Sequence, residues 1–308
     1  MDTRSLGRSP LEVSVLAYGA WRLAGSEGKA SIEGSAYGIR ALHAAVDAGI
    51  TFIDLADIYG GGRCEEIVGD ALRQSPGLRQ RLVIATKCGI RRSGDPTPQA
   101  PFRYDFSREH ILRSVEVSLK RMGLHEIDLL MLHRPDYLMD PAEVAGVFVD
   151  LRQAGKVREF GVSNFTPSQV TALQKAFPHP LVVNQVEISL LQTATLDDGT
   201  LNQCLELGMS PMAWSPLGRG ALVQDPGSLT DARQRRTAEA LVAVARRLGT
   251  TPSVVALAWL LRHLSGIIPI LGTCTPERIA EQALAATLPL SREDWYELLE
   301  ASRGSRLP

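Results

Sequence analysis

Cysteine is scarce: Cys64, Cys88, Cys204 and Cys274 are the only four, and no two of them form a CxxC pair. That spacing excludes a zinc ribbon or a disulfide scaffold and makes a reducing cytoplasm the expected home. Charge of one sign is missing too, because 33 Lys and Arg face 34 Asp and Glu, a net charge of −1 over 308 residues. The balance speaks against a basic nucleic-acid binder and against an acidic tail, so no nucleic-acid partner is expected. No apolar run approaches the ~18 residues of a membrane span. The longest apolar-rich stretch, Val254 to Leu261, reads as a buried helix, and Met1 to Pro10 lacks the apolar core of a signal peptide. No membrane partner is expected either. Low-complexity tracts, short repeats and obvious linkers are also absent. What is there is ordinary globular material: 44% hydrophobic and 22% charged residues exclude wholesale disorder. Residues 1–308 are expected to form one domain.

The apolar residues fall into an alternation of strand and helix. Short runs at Val15–Ala17, Thr51–Ile53, Leu82–Thr86, Asp128–Leu132, Val157–Val162, Leu181–Val183, Met209–Ala213 and Ile267–Leu271 read as strands. Between them lie helical faces such as Ile111, Val115, Leu119 and Met122, or Val144, Val147, Phe148 and Leu151. Asp140-Pro141, Thr166-Pro167, Thr251-Pro252 and Thr275-Pro276 mark helix starts, with capping boxes expected at Asp140/Glu143 and Thr166/Gln169. Eight strands alternating with helices predict an α/β fold, the (β/α)8 TIM barrel, with Thr3–Ser14 as a hairpin closing its bottom. A doubly wound sheet is the alternative, but it wants a GxGxxG turn, and Gly218-Arg219-Gly220 lacks the third glycine. The connections Cys88–Phe106 and Pro216–Asp231 exceed the ~12–15 residues of plain loops and follow strands, on the face where barrel enzymes keep their active sites.

Polar residues close the apolar runs in a telling order. Asp54 ends the second strand, Lys87 the third and His133 the fourth, while Tyr59 opens the loop after Asp54. Neighbouring strands lie ~4.8 Å apart, so these groups meet at one rim. Such a set suits carbonyl reduction. Hydride arriving at a carbonyl carbon builds negative charge on oxygen, which must then be protonated. Lys87 is expected to lower the pKa of Tyr59, Asp54 to hold Lys87, and His133 to donate a hydrogen bond to the carbonyl oxygen. A metal-dependent hydrolase would need several ligands at strand ends. Of the six histidines only His133 is so placed, since His43, His110 and His263 fall in helical patterns and His125 and His179 precede strands. No metal is expected.

The chain resembles the aldo-keto reductases over nearly its whole length. The resemblance rests on six segments in order: Asp54–Gly60 (DLADIYG), Thr86–Gly89 (TKCG), Leu132–Asp136 (LHRPD), Gly161–Phe165 (GVSNF), Asn184–Glu187 (NQVE) and Trp214–Gly220 (WSPLGRG). The LHRPD and NQVEIS wording is similar to the bacterial YdhF-like branch. The resemblance implies a catalytic tetrad of Asp54, Tyr59, Lys87 and His133 with Tyr59 as proton donor. It implies carbonyl reduction, since His133 stands where a glutamate would favour reduction of a conjugated double bond. The other reading that it leaves open is a nicotinamide-binding sensor or regulatory subunit with little turnover.

For the cofactor, the resemblance assigns Ser163, Asn164 and Gln185 to the nicotinamide carboxamide, and Trp214 offers a flat face for its ring. Trp21 and Asp54 are placed beside it. Ser215, Pro216, Leu217, Gly218, Arg219 and Gly220 follow, with Leu217–Gly220 small enough for backbone N–H groups to approach a pyrophosphate. After the eighth strand, Gly272, Thr273 and Cys274 lead into a helix whose Arg278 would pair with a 2′-phosphate, while Glu281 and Gln282 would face the adenine. Gly272 stands where many relatives have lysine, and Gln282 where asparagine is common. NADPH is the expected cofactor, with NADH as the second option. The expected partner is a small-molecule carbonyl substrate; Trp21, Ile58, Tyr137 and the Cys88–Phe106 connection would line its pocket, with Arg134 and Arg103 as anchors for an acidic group. No oligomeric state is assigned.

Overall fold

The computed structural model describes residues 1–25 and 32–307. Its strands are β1 (Thr3–Ser5), β2 (Glu12–Ser14), β3 (Ala17–Gly19), β4 (Phe52–Asp54), β5 (Val83–Cys88), β6 (Ile90–Arg91), β7 (Arg103–Tyr104), β8 (Ile127–Leu132), β9 (Val157–Ser163), β10 (Leu181–Glu187), β11 (Ser210–Trp214) and β12 (Ile268–Leu271). The helices are α1 (Ile32–Asp47), α2 (Arg63–Gln74), α3 (Arg108–Met122), α4 (Pro141–Gln153), α5 (Pro167–Ala176), α6 (Thr200–Leu207), α7 (Ala232–Leu248), α8 (Pro252–Leu261), α9 (Pro276–Ala283) and α10 (Arg292–Arg303). Strands β3, β4, β5, β8, β9, β10, β11 and β12 pair in parallel in that order and close into a barrel. The expected (β/α)8 barrel is the fold.

Each expected strand overlaps an observed one, and two differ for clear reasons. Val15 and Leu16 are buried yet lead into β3, because Ser14 exchanges hydrogen bonds of 2.9 and 3.0 Å with Thr51 and pairing with β4 begins only at Ala17. Strand β10 runs past its apolar start to Glu187, carrying Asn184 and Gln185 inside the ladder. The apolar run stops short of the strand's end because Asn184 and Gln185 are polar yet buried within it.

The expected hairpin forms from β1 and β2. The N–H of Gly7 donates to Ser210 Oγ at 2.8 Å, at the first residue of β11, so the hairpin caps the N-terminal end of the barrel. Its Leu6, Leu11 and Val13 pack against Phe52, Leu129 and Met212 of the barrel interior. Burying each such side chain contributes roughly 1.5–3 kcal/mol. The hairpin covers this end of the barrel.

The α3 and α4 faces are buried as expected. Thr166 makes its capping box with Gln169, but Asp140 caps through the N–H of Ala142, and Glu143 instead accepts from the N–H of Arg108 at 2.8 Å. Thr251 and Thr275 make no side-chain cap; Thr251 is drawn to Glu281. His263 lies in the turn after α8, bonded to Ser265, and not in a helix. The Cys88–Phe106 connection is a clamped hairpin, β6 paired with β7 and Arg91 bridging Asp95 at 3.0 Å and Asp105 at 2.8 Å. Its entry needs Gly89, at φ +105°, where a Cβ would sit 2.1 Å from the Phe106 ring. All four cysteines are buried and free. Among the described residues no single helix is long and apolar enough to cross a membrane.

Candidate active site

Three neighbouring strands deliver the expected residues to one rim. Asp54 is the last residue of β4, Lys87 the next to last of β5, and His133 follows β8, its N–H tied to Cys88 O at 2.9 Å. Tyr59 enters from the loop above, where Gly60, Gly61 and Gly62 all take positive φ and turn the chain sharply into α2.

Lys87 is completely buried, and its ammonium donates to Asp54 Oδ1 at 2.7 Å, to Leu55 O at 2.6 Å and to Tyr59 Oη at 3.2 Å. Three donors have three acceptors, so a buried cation is fully satisfied. Burial works against its charge, but Asp54 and Tyr59 outweigh it and hold Lys87 above its ordinary value. For Tyr59 the net direction is the reverse of the expectation. Burial is the largest influence and raises its pKa, Lys87 lowers it, Asp54 raises it again, and the phenol ends above the ordinary 10.0. Tyr59 is therefore a proton carrier throughout the neutral range. His133 stands edge-on to Tyr59, ring centroids 5.7 Å apart. Burial first, then Lys87 and Arg134, push it well below the usual histidine range, so it is a neutral imidazole.

Beside these four side chains the amide residues are bound mainly to one another. Ser163 Oγ donates to Gln185 O at 2.9 Å, and Asn164 donates to Ser163 Oγ at 2.8 Å and His133 O at 3.3 Å. Trp214 Nε1 donates to Asn164 Oδ1 at 3.0 Å, which fixes the plane of the indole. Asn164 itself sits at φ +62°. Gln185 reaches across the barrel, its Nε2 donating to Asp54 Oδ1 at 2.7 Å. This support of the Lys87–Asp54 pair was not visible in the sequence, where Gln185 reads only as a strand-end amide. The side-chain Oε1 of Gln185 accepts no hydrogen bond among the described residues.

In the loop after β11, Ser215 (φ +51°), Gly218 (+57°), Arg219 (+57°) and Gly220 (+94°) all take the left-handed conformation. Gly218 and Gly220 spend their N–H groups on Ser215 O and Leu217 O. Those of Leu217 and Arg219 carry no backbone partner among the described residues, and Pro216 has none to give. After β12, Arg22 donates to Gly272 O at 3.0 Å, Thr273 Oγ1 accepts from the N–H of Thr275, and Tyr18 bonds Cys274 Sγ at 3.6 Å. Arg278 is exposed with no ion pair among the described residues. Glu281 is engaged by Thr251 at 2.8 Å and Ser253 at 2.6 Å, and Gln282 is buried.

Of the residues expected on the substrate side, Trp21 and Tyr137 are exposed and Ile58 is half-buried. Arg134 lies 5.3 Å over the Trp214 ring. Arg103 is not a free anchor: its guanidinium donates to Asp95 O at 2.7 Å within its own hairpin. A brace the sequence gave no sign of lies beneath the Tyr59 loop. Buried Glu65 accepts from Thr86 Oγ1 at 2.7 Å and from Arg121 at 3.0 Å, and Arg121 also holds Asp57 O at 3.0 Å.

Comparison with known proteins places this geometry. The model of the aldo/keto reductase family matches residues 15–303. The chain is 42% identical over 311 residues to a 6-dehydroglucose reductase of Novosphingobium aromaticivorans, covering 99% of this chain and 97% of that protein. It is 43% identical over 263 residues to the oxidoreductase YdhF of Escherichia coli, covering 85% and 86%. Among solved structures it is similar to a glycerol dehydrogenase of Gluconobacter oxydans, with TM-score 0.86, 25% identity, and coverage of 100% and 98%. The chain belongs to the aldo/keto reductase family and has the architecture of an oxidoreductase of that family.

Proposed function

We propose that residues 1–308 act as one barrel domain that reduces aldehyde or ketone carbonyls to alcohols with NADPH, Tyr59 delivering the proton. The observation that carries this reading is the Lys87 ammonium, bonded at once to Asp54 and to the Tyr59 hydroxyl beside a neutral His133. The residues present fit a nicotinamide dinucleotide. Trp214 offers a fixed flat face, Gln185 an acceptor for a carboxamide, Leu217 and Arg219 N–H groups for a pyrophosphate, and Arg278 a cation for a 2′-phosphate, none of these N–H groups or the guanidinium having a partner among the described residues. Ser163 and Asn164 serve the carboxamide by trading an internal bond for it, and Glu281 reaches the adenine side with its second oxygen, beside Gln282.

When bound, the reduced nicotinamide supplies the hydride. His133 donates a hydrogen bond to the carbonyl oxygen, and Tyr59 passes its proton to that oxygen as charge grows there. Lys87 stabilises the phenolate left behind, and Asp54, steadied by Gln185, keeps Lys87 in place. Four free buried cysteines suit a reducing cytoplasm. The test is multiple-turnover NADPH consumption over a panel of aldehydes, ketones and quinones, in which the relative named for 6-dehydroglucose puts oxidised sugars first. No turnover with tightly retained cofactor would give the sensor reading instead.

Two variants test the cofactor side. Trp214→Ala weakens binding of oxidised and reduced cofactor more than it slows the chemical step, because stacking holds the ring in both states. Single-turnover kinetics separate the two, and an unchanged dissociation constant would make Trp214 a packing residue. Arg278→Ala weakens NADPH binding by roughly 1.5–3 kcal/mol, the worth of hydrogen bonds to a charged group, and hardly alters NADH binding. Paired dissociation constants at fixed salt decide it; a wild type that favours NADH would sink the assignment.

A further inference from the structure

Beneath the loop that carries Tyr59, and lined by none of the four tetrad residues, lies a cavity of about 280 Å³ between that loop, the β6–β7 hairpin and α3. His110 on its wall is only 9% exposed, and neither ring nitrogen has a hydrogen-bond partner. Asp57, two residues before Tyr59, also lines it, with a buried Oδ1 lacking a partner. Buried polar atoms are nearly always satisfied, so two such groups on one cavity point to a polar occupant.

Charge selects its sign. Of the arginines on the wall, Arg121 is paired with Glu65 at 3.0 Å. Arg92 donates to the Ile58 carbonyl at 2.7 Å, and neither it nor Arg113 has an acidic partner among the described residues. On the acidic side, Asp95 is taken by Arg91, and burial, reinforced by Glu65, pushes Asp57 up to about 7. Because Arg91 is shared between Asp95 and Asp105, four arginines face three carboxylates and Asp57 here, and the exposed Arg92 and Arg113 are the guanidinium groups left with no carboxylate of their own among the described residues to offer an anion. We propose that this cavity is a binding site for a small oxyanion, a phosphate or a carboxylate, held by His110, Arg113, Ser114 and Arg92. The site is joined to the catalytic strand, since the N–H of Asp57 donates to Lys87 O at 3.0 Å. Its occupant therefore stiffens the segment from which Tyr59 projects.

The experiment is isothermal titration and thermal unfolding of the full chain with inorganic phosphate, and in a parallel arm with acetate, against chloride at matched ionic strength. We expect saturable binding of phosphate, of acetate or of both, which assigns the anion class. Arg113→Met, a change at an exposed position that leaves the fold intact, and His110→Phe should each raise the dissociation constant at least tenfold. Arg278→Ala should leave it unchanged, which separates this cavity from the 2′-phosphate site. Absence of binding by either anion overturns the proposal. So does binding that survives Arg113→Met and disappears in Arg278→Ala.

Discussion

Tyr59→Phe lowers carbonyl reduction by about 10²–10⁴-fold, the usual cost of removing a positioned general acid, while cofactor affinity stays nearly unchanged. The variant keeps the ring that packs edge-on against His133 and loses only the hydroxyl that accepts from Lys87 at 3.2 Å. The ammonium retains Asp54 and Leu55 O, so the fold is hardly touched. The pH profile of the wild type carries the same information. Tyr59 stays protonated above its ordinary 10.0, and His133 stays neutral down to well below its ordinary 6.5. Reduction should therefore be nearly flat from weakly acidic to weakly alkaline pH and fall only as the phenol ionises. A wild-type kcat in Tyr59→Phe, or a rate that falls already near neutrality, would remove Tyr59 from the mechanism.

The barrel and the meeting of Asp54, Lys87 and His133 at one rim were legible because both are written locally. Each β-strand supplies its own apolar run, and the residue that breaks the run, Asp54, Lys87 or His133, is the one left at the rim. What was not legible depends on partners far away in the chain. Gln185 reaches Asp54 across 131 positions, and nothing about an amide at a strand end announces that bond. Arg103 reads as a free cation until its hairpin closes and its guanidinium is taken by carbonyl oxygens. The direction of the Tyr59 shift was missed for another reason. One cation beside a phenol favours phenolate, but the burial that brings them together favours phenol more, and burial is a property of the assembled site. The polar cavity near His110 was hidden in the same way, since its wall comes from three separate segments.

Lys87→Met separates the two jobs of the buried cation. The substitution keeps most of the side-chain volume but leaves the Asp54 carboxylate buried with only Gln185 donating to it, and leaves Leu55 O unpaired. Breaking a buried ion pair from one side typically costs about 3–5 kcal/mol, so thermal or denaturant unfolding should shift strongly. Reduction should fall by about 10² or more, because the phenolate formed on proton transfer loses the cation bonded to it. A loss of rate in this variant alone is ambiguous, since a distorted rim would do the same. Adding Asp54→Asn resolves it. The amide oxygen still accepts from Gln185, no charge is left buried, and a neutral pair in place of a buried ion pair is often as stable as the original. The double variant should regain most of the lost stability and none of the rate. If rate returned together with stability, the pair would only be holding the barrel rim together. Stability returning alone would place the charge of Lys87 in the reaction itself.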